Sequence, residues 1–184
     1  MALPSTVFKA QLQVADMDRH YYAEHALTVA RHPSETDERM MVRVLAYALH
    51  ADEALAFGPG LSSEGEPDLV LRDLTGAISL WIDVGLPDEK ALRKACGRAE
   101  RVVLYVYGRG ADVWWQNQRK GVLKLDNLTV VQLPAEATRA LGEMAARSMQ
   151  LQCNVQDGAI WFGDGERNVD IHREVLHAPA STRA

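Results

Sequence analysis

Residues 66–108, EPDLVLRDLTGAISLWIDVGLPDEKALRKACGRAERVVLYVYG, constrain the fold more than any other stretch of the chain. Asp68 to Arg72 and Ile78 to Val84 are predicted to form the two strands of a hairpin. A helix from Pro87 to about Arg98 follows, and Val102 to Tyr107 form a continuous apolar run, typical of a strand covered on both faces. The order strand, strand, helix, strand predicts an α/β core.

Further elements are predicted on both sides of this core. Residues 20–30 alternate like a strand, although their alanines would tolerate a helix, and we predict a strand that pairs with the one before it. The predicted elements before residue 66 are strands over 6–15 and 20–30, a helix from an N-cap at Ser34 to about Asp52, and a short strand over 55–61. Those after residue 108 are a helix over 112–120, a strand over 127–133, an alanine-rich helix over 134–148, and a hairpin of strands 150–155 and 159–162. Because no linker or repeat separates them, we expect a single domain over residues 1–184.

Composition narrows the class of protein. The 20 Lys and Arg against 25 Asp and Glu give a formal charge of −5, which argues against a protein that coats nucleic acid non-specifically but allows a local basic face. No apolar run approaches the roughly 18 residues that span a bilayer, and the first residues lack a signal-peptide pattern, so we expect a soluble cytoplasmic protein. Cys96 and Cys153 lie far apart, which predicts buried thiols rather than a disulfide or a zinc site.

Two acidic residues lie at the ends of the predicted hairpin strands that meet. Asp68 begins the first strand, directly after Pro67, and Asp83 lies near the end of the second. In an antiparallel pair these ends are neighbours, so both carboxylates can reach one ion if their side chains share a face. Mg²⁺ needs only one or two carboxylates, with water and substrate phosphate completing its coordination. The pair predicts a Mg²⁺ or Mn²⁺ site, and the alternative is two strand-end aspartates that face water.

A stripe of basic residues follows the second hairpin strand. Its members, at spacings of four, four and three, are Lys90, Lys94, Arg98 and Arg101. This spacing places them along one face of the predicted helix. A lysine beside paired carboxylates, where a metal can activate water, favours nuclease chemistry, and the whole stripe is a candidate nucleic-acid-binding face. The alternative is the solvated side of an amphipathic helix.

An acidic residue also lies on the predicted first helix. Glu38 is three residues before Met41, on the face of the apolar stripe. An acid at the edge of a core stripe is unusual and favours a functional role. The helix dipole also favours glutamate in a first turn, and on position alone that is the simpler explanation.

Several runs resemble the YaeQ family of small bacterial proteins across nearly the whole chain. They are ADMDRHYY, RHPSETDERMMVR, EPDL, LPDEK, RKACGRA, WWQNQ and QDGAIWF. The order helix with acid, strand, P-D strand, D/E strand, helix, strand is also similar to the core of the PD-(D/E)-x-K nuclease superfamily, of which this family would be a divergent branch. The resemblance implies a mixed central sheet flanked by helices, with a restriction-endonuclease-like core and added strands at both ends.

The superfamily resemblance implies a role for each acid. It places the P-D acid at Asp68, the D/E acid at Asp83 and the helix acid at Glu38. Asp68 and Asp83 would then bind Mg²⁺ or Mn²⁺, and Glu38 would orient a water on the metal.

The lysine of the motif is absent from its usual position. Gly85 lies two residues after Asp83, where the motif has lysine. In some superfamily members that lysine has moved to the following helix, which implies that Lys94, or Lys90 one turn earlier, supplies the ammonium. The expected function is metal-dependent cleavage of nucleic-acid phosphodiesters. The alternative, favoured by Gly85, is a non-catalytic nucleic-acid- or protein-binding regulatory protein that keeps the nuclease fold.

Overall fold

The computed structural model describes residues 3–60 and 64–180. The Leu61 end of one predicted strand, part of the loop that follows it and the last four residues of the chain lie outside the described residues. The chain forms two compact units: residues 1–51, 60–62 and 136–172 form the first, and residues 52–59, 63–135 and 173–184 form the second.

The described residues form four helices and two mixed sheets, one in each unit. The strands are β1 (Thr6–Asp16), β2 (Tyr21–Arg31), β3 (Leu55–Phe57), β4 (Leu69–Arg72), β5 (Ile78–Val84), β6 (Ala99–Val106), β7 (Leu128–Gln132), β8 (Ser148–Gln156), β9 (Ala159–Gly163), β10 (Asn168–Ile171) and β11 (Glu174–His177). The helices are α1 (Asp37–Leu49), α2 (Glu89–Arg98), α3 (Ala111–Val122) and α4 (Ala135–Glu143). The expectation of one central sheet is therefore wrong, because the strands divide between two. None of the described helices is long and apolar enough to cross a membrane.

The sheet of the first unit has the order β10-β9-β8-β1-β2. All its neighbours are antiparallel except β1 and β8, which run parallel. Along β1, buried Ala10 and Leu12 alternate with exposed Lys9, Gln11 and Gln13. Period-two alternation places the apolar set on one face, so this sheet has a core face and an open face.

Helix α1 provides much of the buried surface of the first unit, since every residue from Met40 to Leu49 is buried. Thr36 is its N-cap and accepts a hydrogen bond from Arg39 N at 3.1 Å, so the predicted cap at Ser34 is wrong by two residues. Arg43 is 1% exposed and forms an ion pair with buried Glu35. A buried arginine needs such a partner because an unpaired charge in the core is costly.

The sheet of the second unit has the order β11-β7-β6-β5-β4-β3. Strands β5, β6 and β7 run parallel, and α2 connects β5 to β6. The predicted covered strand is confirmed, because all residues from Val102 to Val106 in β6 are buried. A cluster that includes Trp81, Leu92 and Leu104 forms the core here. The strand, strand, helix, strand unit predicted from the sequence is therefore present.

Other parts of the structure also differ from the prediction. The alanine-rich helix ends at Glu143 rather than Ser148, because Ser148 begins β8 opposite Lys9 of β1. Strands β10 and β11 were not predicted. Arg101 is not on a helix, since α2 ends at Arg98 and Arg101 pairs with Leu80 within the sheet.

Candidate functional site

Asp68 and Asp83 lie side by side where β4 begins and β5 ends. The register pairs Leu69 with Ile82, so the next position outward places Asp68 opposite Asp83. The backbone N–H of Asp68 donates to Ile82 O at 3.0 Å and to Asp83 Oδ1 at 3.2 Å. The backbone N–H of Val84 donates to Asp68 Oδ2 at 2.8 Å. The hairpin therefore brings together the two acids that the sequence singled out.

Hydrogen bonds orient both carboxylates. Asp68 is 7% exposed, and its bond from Val84 ties it to the end of β5. Asp83 is half-buried, and its Oδ2 accepts from Trp81 Nε1 at 2.8 Å. Trp81 and Asp83 are two residues apart on one strand, so their side chains share a face. Such supporting bonds fix the direction in which a carboxylate can bind a cation.

Arg98 ties the segment over residues 64–66 to the sheet. Its guanidinium lies 5.0 Å from the centroid of the Trp81 ring, which is a cation–π contact. Arg98 Nη1 donates to Gly65 O at 2.8 Å, and Nη2 is 3.7 Å from Glu66 Oε1. This arginine, expected to bind nucleic acid, already contacts the protein through three groups.

An open cavity of about 520 Å³ lies beside Asp83. Its charged lining residues are the acids Glu64, Glu66, Asp83 and Asp88 and the lysines Lys90 and Lys94. Lys94 is exposed on α2, and its ammonium lies so close to Gly65 that a methyl group added there would be 3.0 Å from Nζ. The cavity therefore combines one of the paired aspartates with both lysines proposed as replacements for the motif lysine.

The backbone conformation at Gly85 disfavours a lysine there. Gly85 has φ +121°, a conformation that residues with a side chain rarely adopt. Its N–H donates to Tyr105 O at 2.9 Å, which fixes this geometry against β6. A lysine at this position would therefore strain the chain.

Glu38 lies in the first unit, whereas Asp68 and Asp83 lie in the second. The Glu38 carboxylate accepts a hydrogen bond from Thr138 Oγ1 of α4 at 3.0 Å. Within residues 3–60 and 64–180, no group of three or more His, Cys, Asp or Glu side chains is placed to hold a metal ion. The acids that the structure pairs are Asp68 and Asp83, and the role expected of Glu38 stays a prediction.

Trp81 and Gly65 are among the residues of the site that were not predicted. Trp81 could have been found, because its spacing of two from Asp83 on a predicted strand places both side chains on one face. Gly65 carried no comparable signal, since its hydrogen bond with Arg98 joins residues 33 positions apart in the sequence.

The family model of the YaeQ protein matches residues 1–173. The chain belongs to the YaeQ family. Among its relatives, the YaeQ protein of Salmonella typhi is 46% identical and that of Escherichia coli K12 is 42% identical. Each alignment covers 181 residues, which is 98% of this chain and 100% of the relative.

Two solved structures show the same fold as this YaeQ-family chain. The YaeQ protein from Xanthomonas axonopodis pv. citri is 48% identical, with a TM-score of 0.92 over 95% of this chain and 99% of that one. The YaeQ protein from Pseudomonas syringae is 35% identical, with a TM-score of 0.92 over 96% and 98%. The family predicted from the sequence is therefore confirmed.

Proposed function

We propose that this protein is a metal-dependent nuclease of the PD-(D/E)-x-K type, with its core formed by β4, β5, α2 and β6. The observation that carries the proposal is the pairing of Asp68 with Asp83 beside a cavity that also contains Lys94. Two carboxylates and a nearby ammonium are the groups that water-mediated cleavage of a phosphodiester requires. In this assignment Lys94 replaces the lysine that the backbone excludes at Gly85.

The paired aspartates fit a hard divalent cation. Carboxylate oxygens are the ligands that Mg²⁺ and Mn²⁺ prefer, and Mg²⁺ is often bound by one or two carboxylates with water and phosphate. Asp83 lines the open cavity, and its bond from Trp81 Nε1 orients it there. When bound, the cation would polarise the phosphate and make water a better nucleophile.

The charge of the cavity also favours a cation over a bare phosphate. Four acids and two lysines line it, Glu64, Glu66, Asp83 and Asp88 against Lys90 and Lys94. This excess of carboxylates attracts a divalent cation and repels phosphate until a cation is present. We therefore expect the affinity for nucleic acid to rise when Mn²⁺ is added.

Lys94 is the residue proposed to stabilise the developing phosphate charge. Its side chain is exposed and lines the same cavity as Asp83. Its position in the second turn of α2 lets a lysine side chain reach across the cavity. Lys90 lies one turn earlier, so its removal should lower the rate less.

The test is cleavage of labelled single- and double-stranded DNA and RNA by the purified protein, with Mn²⁺, Mg²⁺ or EDTA. We expect cleavage only with a metal, and a loss of at least about 100-fold in Lys94→Met. Arg93→Met is the matched control, because Arg93 lies next to Lys94 but is not among the residues that line the cavity. Cleavage that survives in EDTA or in Lys94→Met, or its absence on all four substrates, would contradict the proposal.

A second candidate is a non-catalytic protein that binds nucleic acid through Lys90 and Lys94. The backbone conformation at Gly85 favours it, because a lysine at this position would be strained. Such a protein would bind without cutting, and its affinity would fall with salt as counterions are released. Lys90→Glu with Lys94→Glu should then lower the salt slope by roughly two, while metal would have no effect on binding.

A further inference from the structure

The open face of the first unit's sheet carries a double row of amide side chains. Gln11 and Gln13 of β1 are exposed, as are Gln150, Gln152 and Asn154 of β8. In the parallel register Gln11 pairs with Gln150, and Gln13 pairs with Gln152. Each amide offers both hydrogen-bond donors and acceptors, so the two strands form a polar surface that can donate hydrogen bonds to a ligand and accept them from it.

Two aromatic residues flank this polar surface, and both lie in a single row across the sheet. Tyr22 of β2 pairs with Ala15 of β1, Ala15 pairs with Asn154, and Asn154 pairs with Trp161 of β9. Strands lie about 4.8 Å apart, so the two ring positions are separated by roughly 14 Å, with a small and a polar residue between them. The Tyr22 side chain is 63% exposed. This row therefore has an aromatic ring at each end, with the shorter side chains of Ala15 and Asn154 between them.

A cavity of about 410 Å³ lies on this face. The polar and aromatic residues that line it are Gln13, Tyr22, Glu24, Gln152 and Asn154. Its volume is in the range of small-ligand sites. Among the described residues that line it, Glu24 is the one charged side chain, and no lysine or arginine is present. Phosphate-bearing ligands are therefore disfavoured, and so are purely apolar ones.

We propose that this cavity binds a neutral oligosaccharide. Planar amide and carboxylate groups, such as those of Gln13, Gln152 and Glu24, bind adjacent hydroxyl groups through paired hydrogen bonds. The exposed Tyr22 ring offers an apolar surface on which the C–H face of a sugar ring can stack. Every residue of this site lies in the first unit, so the proposal is independent of the nuclease assignment in the second.

The test is a titration of the ¹⁵N-labelled full-length protein with cellotetraose, maltotetraose and chitotetraose, followed by NMR chemical shifts. We expect at least one of the three to shift backbone amides of β1, β2 and β8, with a dissociation constant of about 0.1–10 mM. Tyr22→Ala and Gln152→Ala should each weaken binding by at least about fivefold. Thr28→Ala, on the same face but not among the residues lining the cavity, should bind as the wild type does.

Three outcomes would overturn this proposal. One is the absence of shifts on these strands with all three sugars at about 10 mM. Another is binding that Tyr22→Ala leaves unchanged. The third is an oligothymidylate that shifts this face while the sugars do not, which would assign the site to single-stranded nucleic acid. Asp83→Asn should bind the sugar normally, because it changes only the second unit.

Discussion

At the residue scale, burial distinguishes Cys96 from an ordinary thiol. Cys96 is half-buried, and this burial raises its pKa from 9.0 to about 11. Since the thiolate is the reactive form, two pKa units lower its population at pH 8 about 100-fold. We expect slow alkylation of Cys96 by iodoacetamide at pH 8, with a rate that rises as the pH approaches 11. Peptide mass spectrometry gives the rate, and protein unfolded in urea, where the ordinary pKa applies, is the control. Alkylation of Cys96 in the native protein that is as fast as in urea would show that burial does not raise the pKa of this thiol.

A second residue-scale prediction concerns the glycine at the motif position. Gly85→Lys restores the motif sequence but places a side chain at φ +121°, so we expect a loss of roughly 1–3 kcal/mol of stability and no gain of activity. Gly97→Ala in α2 is the matched control, because an added methyl there meets nothing within 4 Å. It should stabilise the helix by about 0.4–1 kcal/mol. Thermal unfolding separates the two, and a neutral Gly85→Lys would refute the strain argument.

At the element scale, the start of α1 provides a direct test of its cap. Thr36→Ala removes the hydrogen bond that Oγ1 accepts from Arg39 N and should cost about 1 kcal/mol. Ser34→Ala should cost less than about 0.5 kcal/mol, because Ser34 is exposed and its hydroxyl bonds the His32 ring rather than a backbone N–H of the helix. Urea unfolding of both variants measures the difference. Equal losses of stability in the two variants, or a larger loss in Ser34→Ala, would indicate that Ser34 is the N-cap, as the sequence predicts.

Elements with a strong local pattern could be predicted, and those that depend on distant partners could not. Strand β5 has the predicted bounds, Ile78–Val84, and α2 ends at Arg98 as predicted but begins at Glu89, two residues after the predicted start at Pro87. By contrast, β10 and β11 are four residues each and exist through pairing with β9 and β7. The end of α4 was predicted too late, because alanine content alone favours a longer helix. In the structure Ser148 instead belongs to β8, where it pairs with Lys9 of β1.

At the scale of the whole molecule, the division into two sheets has no signal in the sequence. It depends on the parallel pairing of Lys9–Asp16 with Ser148–Val155, two segments that are far apart in the sequence. The candidate site was predictable where it is local, since one hairpin brings Asp68 and Asp83 together. The contacts of Arg98 with Trp81 and Gly65 could not be predicted, because spacing on a helix does not show which side chains contact the rest of the protein.

We propose that Asp68 and Asp83 bind a divalent cation, and calorimetric titration with Mn²⁺ tests this proposal most directly. Wild type should bind Mn²⁺, and saturation at 100 times the dissociation constant should stabilise the fold by about 2.7 kcal/mol. Asp68→Asn with Asp83→Asn should weaken binding at least about tenfold. The exposed Asp126→Asn is the matched control and should bind as the wild type does. Equal Mn²⁺ affinity in the wild type and the double variant, both folded, would show that these two aspartates do not bind the cation.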